Sequence, residues 1–228
     1  MIDIGQLLVD EQSVITNTHV VFTSGKHGDT YIDARVYAHK SNVLNKISEA
    51  LAWAIMTDYI ENTFAPNHLS EDFLFVGPET LGREYARLTS IYYNEHSNAK
   101  SDAIFCSIDE AGAHFSDKLN FGRLIPGRKI IYVDDLMNES STFFKVKKLI
   151  EELGGEIVLA MTVVNRQPEK NTAEALGIPQ LIALKEIHGM NVYDPDNCPL
   201  CAAKVPMRPR PGHGKEWLAK NPDYPVLE

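Results

Sequence analysis

Five stretches of this chain are apolar almost without interruption, and each is too short to be a buried helix. They are Phe73–Val76, Ala103–Cys106, Ile130–Val133, Ile157–Val164 and Leu181–Leu184. A strand with no polar face has no side to offer water, so it must be covered on both faces of its sheet. The segments between supply the cover. Leu44, Ile47, Leu51, Ile55 and Tyr59 recur at three- and four-residue spacing and predict a helix over Val43–Ile60. Further helices are predicted over Leu81–Tyr92 and Ser141–Leu153, the second stopped by Gly154-Gly155. Strands alternating with helices build a Rossmann-like α/β fold, a parallel sheet with flanking helices. Ligands of such sheets bind at the carboxyl ends of the strands. Four loops stand at such ends: after Val76, Cys106, Val133 and Val164. The first forty or so positions and the tail beyond Lys185 break the pattern. They are expected to form a small hood on a single domain spanning 1–228, with 41–184 as the α/β core. The tail, rich in Pro, Cys and Gly, is expected to be irregular.

Bulk properties narrow the function classes. Apolar residues make up 44% of the 228, which excludes global disorder. A net charge of -9 argues against a general nucleic-acid or membrane-surface binder, and so no nucleic acid and no membrane are expected as partners. It leaves room for a phosphate ligand, because local amides and a few lysines outweigh a diffuse negative field. The start, Met1-Ile2-Asp3-Ile4-Gly5, carries neither a basic stretch nor a long apolar run. Three cysteines do not make a disulfide framework. The expectation is a cytoplasmic protein.

The segment Ile130-Ile131-Tyr132-Val133-Asp134-Asp135-Leu136-Met137-Asn138-Glu139-Ser140-Ser141-Thr142 concentrates the chemistry. An apolar strand meets two carboxylates, then a polar loop, then a helix start. Carboxylates accept sugar hydroxyls, and helix-start amides accept a phosphate. Two aspartates can also simply end a strand and cap a helix. Near the start, Phe22-Thr23-Ser24-Gly25-Lys26-His27-Gly28-Asp29-Thr30-Tyr31-Ile32-Asp33 offers glycines for a tight turn and Lys26 as a flexible cation for phosphate. Val163-Val164-Asn165-Arg166-Gln167 ends a strand on a guanidinium that suits a planar carboxylate, or an ordinary surface salt bridge.

Together these segments resemble the type I phosphoribosyltransferases, and among them the orotate phosphoribosyltransferase-like branch, from about His19 to the Cys-Pro-Leu-Cys segment and beyond. The resemblance implies the fold of that family and transfer of phosphoribosyl from phosphoribosyl pyrophosphate (PRPP) to a planar base, orotate by default, in pyrimidine nucleotide synthesis. It implies Mg2+ as cofactor, PRPP and a nucleobase-like molecule as ligands, and a homodimer. Residue by residue, it places Asp134 and Asp135 on ribose and magnesium, and Lys26 on diphosphate. It places Thr142, Ser140, Ser141 and Asn138 around the 5-phosphate, and Glu79, Thr80 and Gly82 in the diphosphate loop. Arg166 falls on the base, and Tyr31 lies in the same substrate-binding stretch as Lys26.

The loops depart from the family pattern. Asn138, Glu139, Ser140 and Ser141 stand where two threonines and two glycines are usual. Gly77-Pro78-Glu79-Thr80-Leu81-Gly82 has a carboxylate and lacks a glycine of the diphosphate loop. Ser107-Ile108-Asp109-Glu110-Ala111-Gly112-Ala113-His114 is acidic where basic residues would close over the leaving group, with His114 and Lys118 the only nearby candidates for that duty. All three changes oppose an anion. The alternative they raise is a catalytically impaired homologue that binds a nucleotide-like ligand or serves as a partner or regulatory subunit. Lastly, Cys198-Pro199-Leu200-Cys201 has metal-ligand spacing, with His188 or His213 as conceivable partners. Without a second Cys pair, reduced structural thiols in a tight turn are the expectation. Trp53 and Trp217 are expected to pack.

Overall fold

A computed structural model describes residues 2–22, 24–60, 71–116 and 118–227. Thr23 of the Ser-Gly-Lys stretch lies outside them. The chain divides into two compact units, Met1–Ile4 with Ala38–His188, and Gly5–Tyr37 with Gly189–Glu228.

The larger unit is the α/β core. Its helix α1 (Ser41–Ala54) continues as a π-helical turn, Ile55–Ile60. Then follow β1 (Leu74–Pro78), α2 (Leu81–His96), β2 (Asp102–Ile108) and β3 (Ala113–His114). After them come β4 (Lys129–Met137), α3 (Ser141–Glu152), β5 (Glu156–Asn165), α4 (Ala173–Leu176) and β6 (Leu181–Glu186). The strands form one sheet in the order β6-β5-β4-β1-β2-β3. Five pair in parallel, while β3 returns antiparallel to β2, so the sheet is mixed at one edge. The return is local. The Asp109 carboxylate accepts the amides of Ala111 and Gly112 at 2.8 and 3.0 Å, and Gly112 takes a φ of 145°.

Apolar strands and one stripe of each helix make the core. On α3, Phe143, Val146 and Ile150 are buried against the sheet, and the Phe143 ring meets Tyr132 edge-on at 5.1 Å. Burying each such side chain is worth about 1.5–3 kcal/mol. One strand is longer than its apolar run. β4 carries on through Asp134 and Asp135 to Met137, because β5 keeps pairing with it: Asp134 lies opposite Thr162, and Met137 opposite Asn165. Trp53 does not pack inside; it is 45% exposed, beside His96.

In the smaller unit the tail is not irregular throughout. Val192–Tyr193 pairs with His27–Gly28, which also pairs with Val20–Val21, giving a three-stranded antiparallel sheet. Short helices cover Pro199–Ala202 and Gly214–Lys220. Gly25, with φ 81°, turns the chain so that the Phe22 amide donates to the Lys26 carbonyl at 2.8 Å. Gly28 has a different duty from the turn expected of it: a Cβ there would stand 2.6 Å from the Phe22 ring. Among the described residues, no helix is long and apolar enough to cross a membrane.

Candidate functional site

Strand order reverses between β1 and β4. From β1 the chain moves to β2 and the β3 edge; from β4 it moves to β5 and β6 on the other side. Helices therefore diverge above the carboxyl ends of this pair, leaving the crevice where ligands of doubly wound sheets settle. Residues at that rim come from β1, from the end of β4, and from the loops entering α2 and α3.

The turn from β1 to α2 is tight enough to forbid a side chain at two of its positions. A Cβ on Gly77 would lie 2.0 Å from the Gly82 carbonyl oxygen, and one on Gly82 would meet Pro78 at 2.6 Å and the Val133 carbonyl at 3.0 Å. Two glycines thus bring backbone onto backbone and hold the loop against β4. Thr80 is exposed within this loop, while Gly82 is buried. Glu79 anchors it to β2: its amide donates to the Cys106 carbonyl at 2.9 Å, and its carboxylate accepts the Ser107 hydroxyl at 2.6 Å. Arg83 stands 3.8 Å from the same carboxylate.

The two aspartates are not equivalent. Neighbours on a strand leave it on opposite faces, so Asp134 shares a side with Tyr132 and Asp135 does not. Asp134 is buried, accepting the Tyr132 hydroxyl at 2.6 Å and the Asp135 amide at 2.9 Å. Burial, and then the Asp135 charge, hold its carboxyl well above the usual carboxylate range. The Cys106 thiol is pushed up to about 12 by burial and by the Asp134 charge. Asp135 remains half-exposed.

Burial of Asp134 makes the stability of the fold depend on pH. A carboxyl that binds its proton more tightly when folded stabilises the fold below the unfolded-state pKa of about 3.9, and that contribution fades as pH rises toward the higher folded value. Asp134→Asn keeps an acceptor for Tyr132 and removes the charge. Its urea midpoint in magnesium-free buffer should match wild type near pH 4 and exceed it increasingly toward pH 8. A gap independent of pH would show that the Asp134 charge is not destabilising.

The α3 loop is held by side-chain amides. Ser140 adopts a left-handed backbone, φ 54°, at the helix start, a position that favours glycine. Its buried hydroxyl lies 2.7 Å from Asn171 Oδ1. Asn171 Nδ2 donates to the Asn138 carbonyl at 2.7 Å and to Asn165 Oδ1 at 3.1 Å, and Gln167 Nε2 donates to Asn138 Oδ1 at 2.9 Å. Because Met137 and Asn165 end their strands side by side, the two following loops are adjacent and these amides can cross-brace them. Ser141 and Thr142 occupy the first turn of α3, where unpaired amides favour an anion. Glu139 is exposed.

The braces at Asn165, Gln167 and Asn171 were not among the expected site residues. The available signal was an asparagine closing an otherwise apolar strand, Val163-Val164-Asn165. Arg166 follows it and is buried, only 3% exposed; its amide donates to the Met137 carbonyl at 2.9 Å. Of the β2–β3 acids, Asp109 braces its own hairpin as described above, and Lys145 of α3 donates to the Asp109 carbonyl at 2.7 Å. His114 lies 3.5 Å from the Asp109 carboxylate, and Lys118 is exposed. The larger unit thus gathers Gly82, Glu79, Thr80, Asp134, Asp135, Asn138, Ser140, Ser141, Thr142 and Arg166 on strand ends and their loops. Lys26 and Tyr31 belong to the smaller unit.

No family model matches the chain. A curated protein of Carboxydothermus hydrogenoformans named orotate phosphoribosyltransferase is 26% identical over 214 residues, covering 93% of this chain and 98% of that protein. One of Thermotoga maritima with the same name is 23% identical, covering 90% and 95%. The fold is similar to a solved orotate phosphoribosyltransferase from Aeropyrum pernix, with TM-score 0.55, 13% identity and coverage of 81% of this chain and 94% of that one. It is also similar to an adenine phosphoribosyltransferase from Thermoanaerobacter pseudethanolicus, with TM-score 0.56, 15% identity and coverage of 80% and 99%. The chain has the type I phosphoribosyltransferase fold, and along nearly all of its length it is a sequence relative of proteins named orotate phosphoribosyltransferase.

Proposed function

We propose that this protein is a glycosyltransferase that moves phosphoribosyl from PRPP to a planar base, orotate by default, in pyrimidine nucleotide synthesis. The observation that carries the reading is the switch-point crevice, where the Gly77–Gly82 turn, Asp135 and the α3 start stand on one rim. The names of the sequence relatives support the same activity and lend nothing to the alternative of an inactive ligand-binding homologue.

The reaction joins a base nitrogen to C1 of ribose and breaks the C1–oxygen bond, whose electron pair departs with diphosphate. Positive charge develops on the sugar, so the protein's task is positioning and charge placement more than proton transfer. Asp135 would hold a ribose hydroxyl. The amides of the first α3 turn, with the Ser141 and Thr142 hydroxyls, would take the 5-phosphate. The Glu79–Gly82 backbone would cradle diphosphate, and Arg166 would face the base. Lys26 and Tyr31 take their roles, diphosphate and substrate binding, from the resemblance alone.

The residues present fit magnesium as an ion held mainly by substrate oxygens and water. Both Asp134 oxygens already accept hydrogen bonds, and the neighbouring Asp135 is half-exposed at the rim. When bound, magnesium supplies neutralising charge for the diphosphate. We read the protein as cytoplasmic and homodimeric.

Titration calorimetry with PRPP and magnesium, with orotate turnover followed in parallel, tests the reading. Saturable binding and formation of orotidine monophosphate are expected. Absence of both at millimolar ligand would overturn it, and binding without turnover would favour the inactive homologue.

A further inference from the structure

Within the smaller unit, His19, His27, Cys198 and Cys201 turn one donor atom each toward a common point. His19 Nε2 lies 3.0 Å from His27 Nδ1 and 3.7 Å from each of the sulfurs of Cys198 and Cys201. Cys201 Sγ lies 3.2 Å from His27 Nδ1, and all four atoms fall within 4.8 Å of one another. Zinc bonds of about 2.0 Å to nitrogen and 2.3 Å to sulfur span a tetrahedron with edges of about 3.3–3.8 Å. The observed separations are close to those edges. Hydrogen bonds alone would link such groups pairwise; four mutually close donors outline a coordination polyhedron.

The backbone around the cluster fixes these atoms. His27 lies on the middle strand of the three-stranded sheet, opposite Val21 and Tyr193. His19 Nδ1 is 3.0 Å from the Val205 carbonyl oxygen. A carbonyl only accepts, so Nδ1 carries the hydrogen and Nε2 keeps its lone pair toward the cluster, the arrangement that orients metal-binding imidazoles. Cys198 caps the start of the Pro199–Ala202 helix and Cys201 lies within it, and the Lys204 and Val205 amides close its far end by donating to the Cys201 and Leu200 carbonyls at 3.0 and 2.9 Å. His19, His27 and Cys198 are buried and Cys201 partly so.

We propose that this unit binds one zinc ion through His19 Nε2, His27 Nδ1, Cys198 Sγ and Cys201 Sγ. As the two Zn–S bonds form, each thiol releases its proton to solvent, and the dication with two thiolates and two neutral imidazoles is uncharged overall. Two thiolates and two imidazoles in a tetrahedron select zinc over the oxygen-seeking magnesium and calcium. Four protein ligands leave no open position, so the site is structural. It ties the 19–27 hairpin to the 198–201 turn, joining two short chain segments that are distant in sequence and would otherwise rely on a small core. The histidines suggested by proximity to the Cys pair have other neighbours. His188 sits between Glu169 and Glu186 at 2.9 and 3.5 Å, and His213 lies 4.0 Å from Glu216.

Metal analysis of the full chain purified from zinc-supplemented medium tests this directly. About one zinc per chain is expected, and cobalt exchange should give the ligand-field bands of a tetrahedral ion with sulfur-to-cobalt charge transfer. The Cys198→Ser/Cys201→Ser double variant should lose at least tenfold in bound zinc, while Cys106→Ala, which alters the cysteine outside the cluster, should keep it. Substoichiometric zinc below about a tenth per chain, an octahedral cobalt spectrum, or full retention by the double variant would each overturn the proposal. Should the double variant not fold, the cobalt spectrum of the unaltered protein decides alone. The outcome is independent of transferase activity.

Discussion

Gly77→Ala is expected to lower the midpoint of thermal unfolding by about 6–12 °C, the shift that corresponds to roughly 3 kcal/mol in a chain of this size. The cause is steric. The added Cβ would stand 2.0 Å from the Gly82 carbonyl oxygen and 2.3 Å from its carbon, both backbone atoms that no rotamer change can move. To admit it, the β1–α2 turn must open, and Gly82 must then leave its close approach to Val133 on β4. Phosphoribosyl transfer should fall with stability, because the same turn is read as the diphosphate cradle. Gly122→Ala is the control: its Cβ would meet nothing nearer than Leu153 at 3.6 Å, an ordinary contact. Differential scanning calorimetry on both variants checks the expectation. Equal midpoints for Gly77→Ala and wild type would mean that the turn is not held by backbone contact.

Asp135→Asn should reduce kcat/KM for orotate and PRPP by about 10²–10³-fold, the cost of removing one charge or donor aimed at developing transition-state charge. The substitution preserves size and leaves the β4–β5 pairing untouched, so little change in stability is expected. It removes the half-exposed carboxylate at the switch point. The magnesium concentration needed for half-maximal rate should rise as well, which a merely structural residue would not produce. Its neighbour predicts the opposite balance. Asp134, buried under Tyr132, should raise stability at neutral pH when its charge is removed, a trade common where function keeps a costly charge. Steady-state kinetics of the two variants, taken with their urea midpoints, separate the roles. Wild-type rates from Asp135→Asn would remove it from the site.

Much of the architecture was legible because its signal is local. Phe73–Val76 and Ile157–Val164 have no polar face, and a doubly covered sheet is the only place for such strands. Helix α3 announced its end through Gly154-Gly155, while its buried stripe of Phe143, Val146 and Ile150 was seen only in the fold. The true end of β4 was not legible. Aspartates read as strand terminators, yet Asp134 and Asp135 stay in the ladder because β5 offers them a partner edge. The antiparallel β3 was hidden for a similar reason, since Ala113–His114 is too short to show a period.

The site divides along the same line. Asp134 and Asp135 were readable as a candidate pair, but only their strand position shows that one is buried and bonded to Tyr132 while the other meets solvent. Glu79, Asp109 and Glu139 read as three charges opposing a phosphate. In the folded chain Glu79 accepts the Ser107 hydroxyl, Asp109 closes its own hairpin, and Glu139 is exposed. The amide braces around Ser140 draw on Asn138, Asn165, Gln167 and Asn171, residues with no distinguishing pattern until two strand ends are set side by side.

Composition and periodicity alone determined that this chain builds a covered α/β sheet, and its motifs pointed to a phosphate-handling rim. Those properties depend on neighbours within a turn or two of each residue. Which carboxylate faces solvent, and which histidines join Cys198 and Cys201, was decided by the tertiary structure alone. His19 reaches a sulfur 179 positions away through strand pairing and a returning tail, and no local spacing encodes that distance.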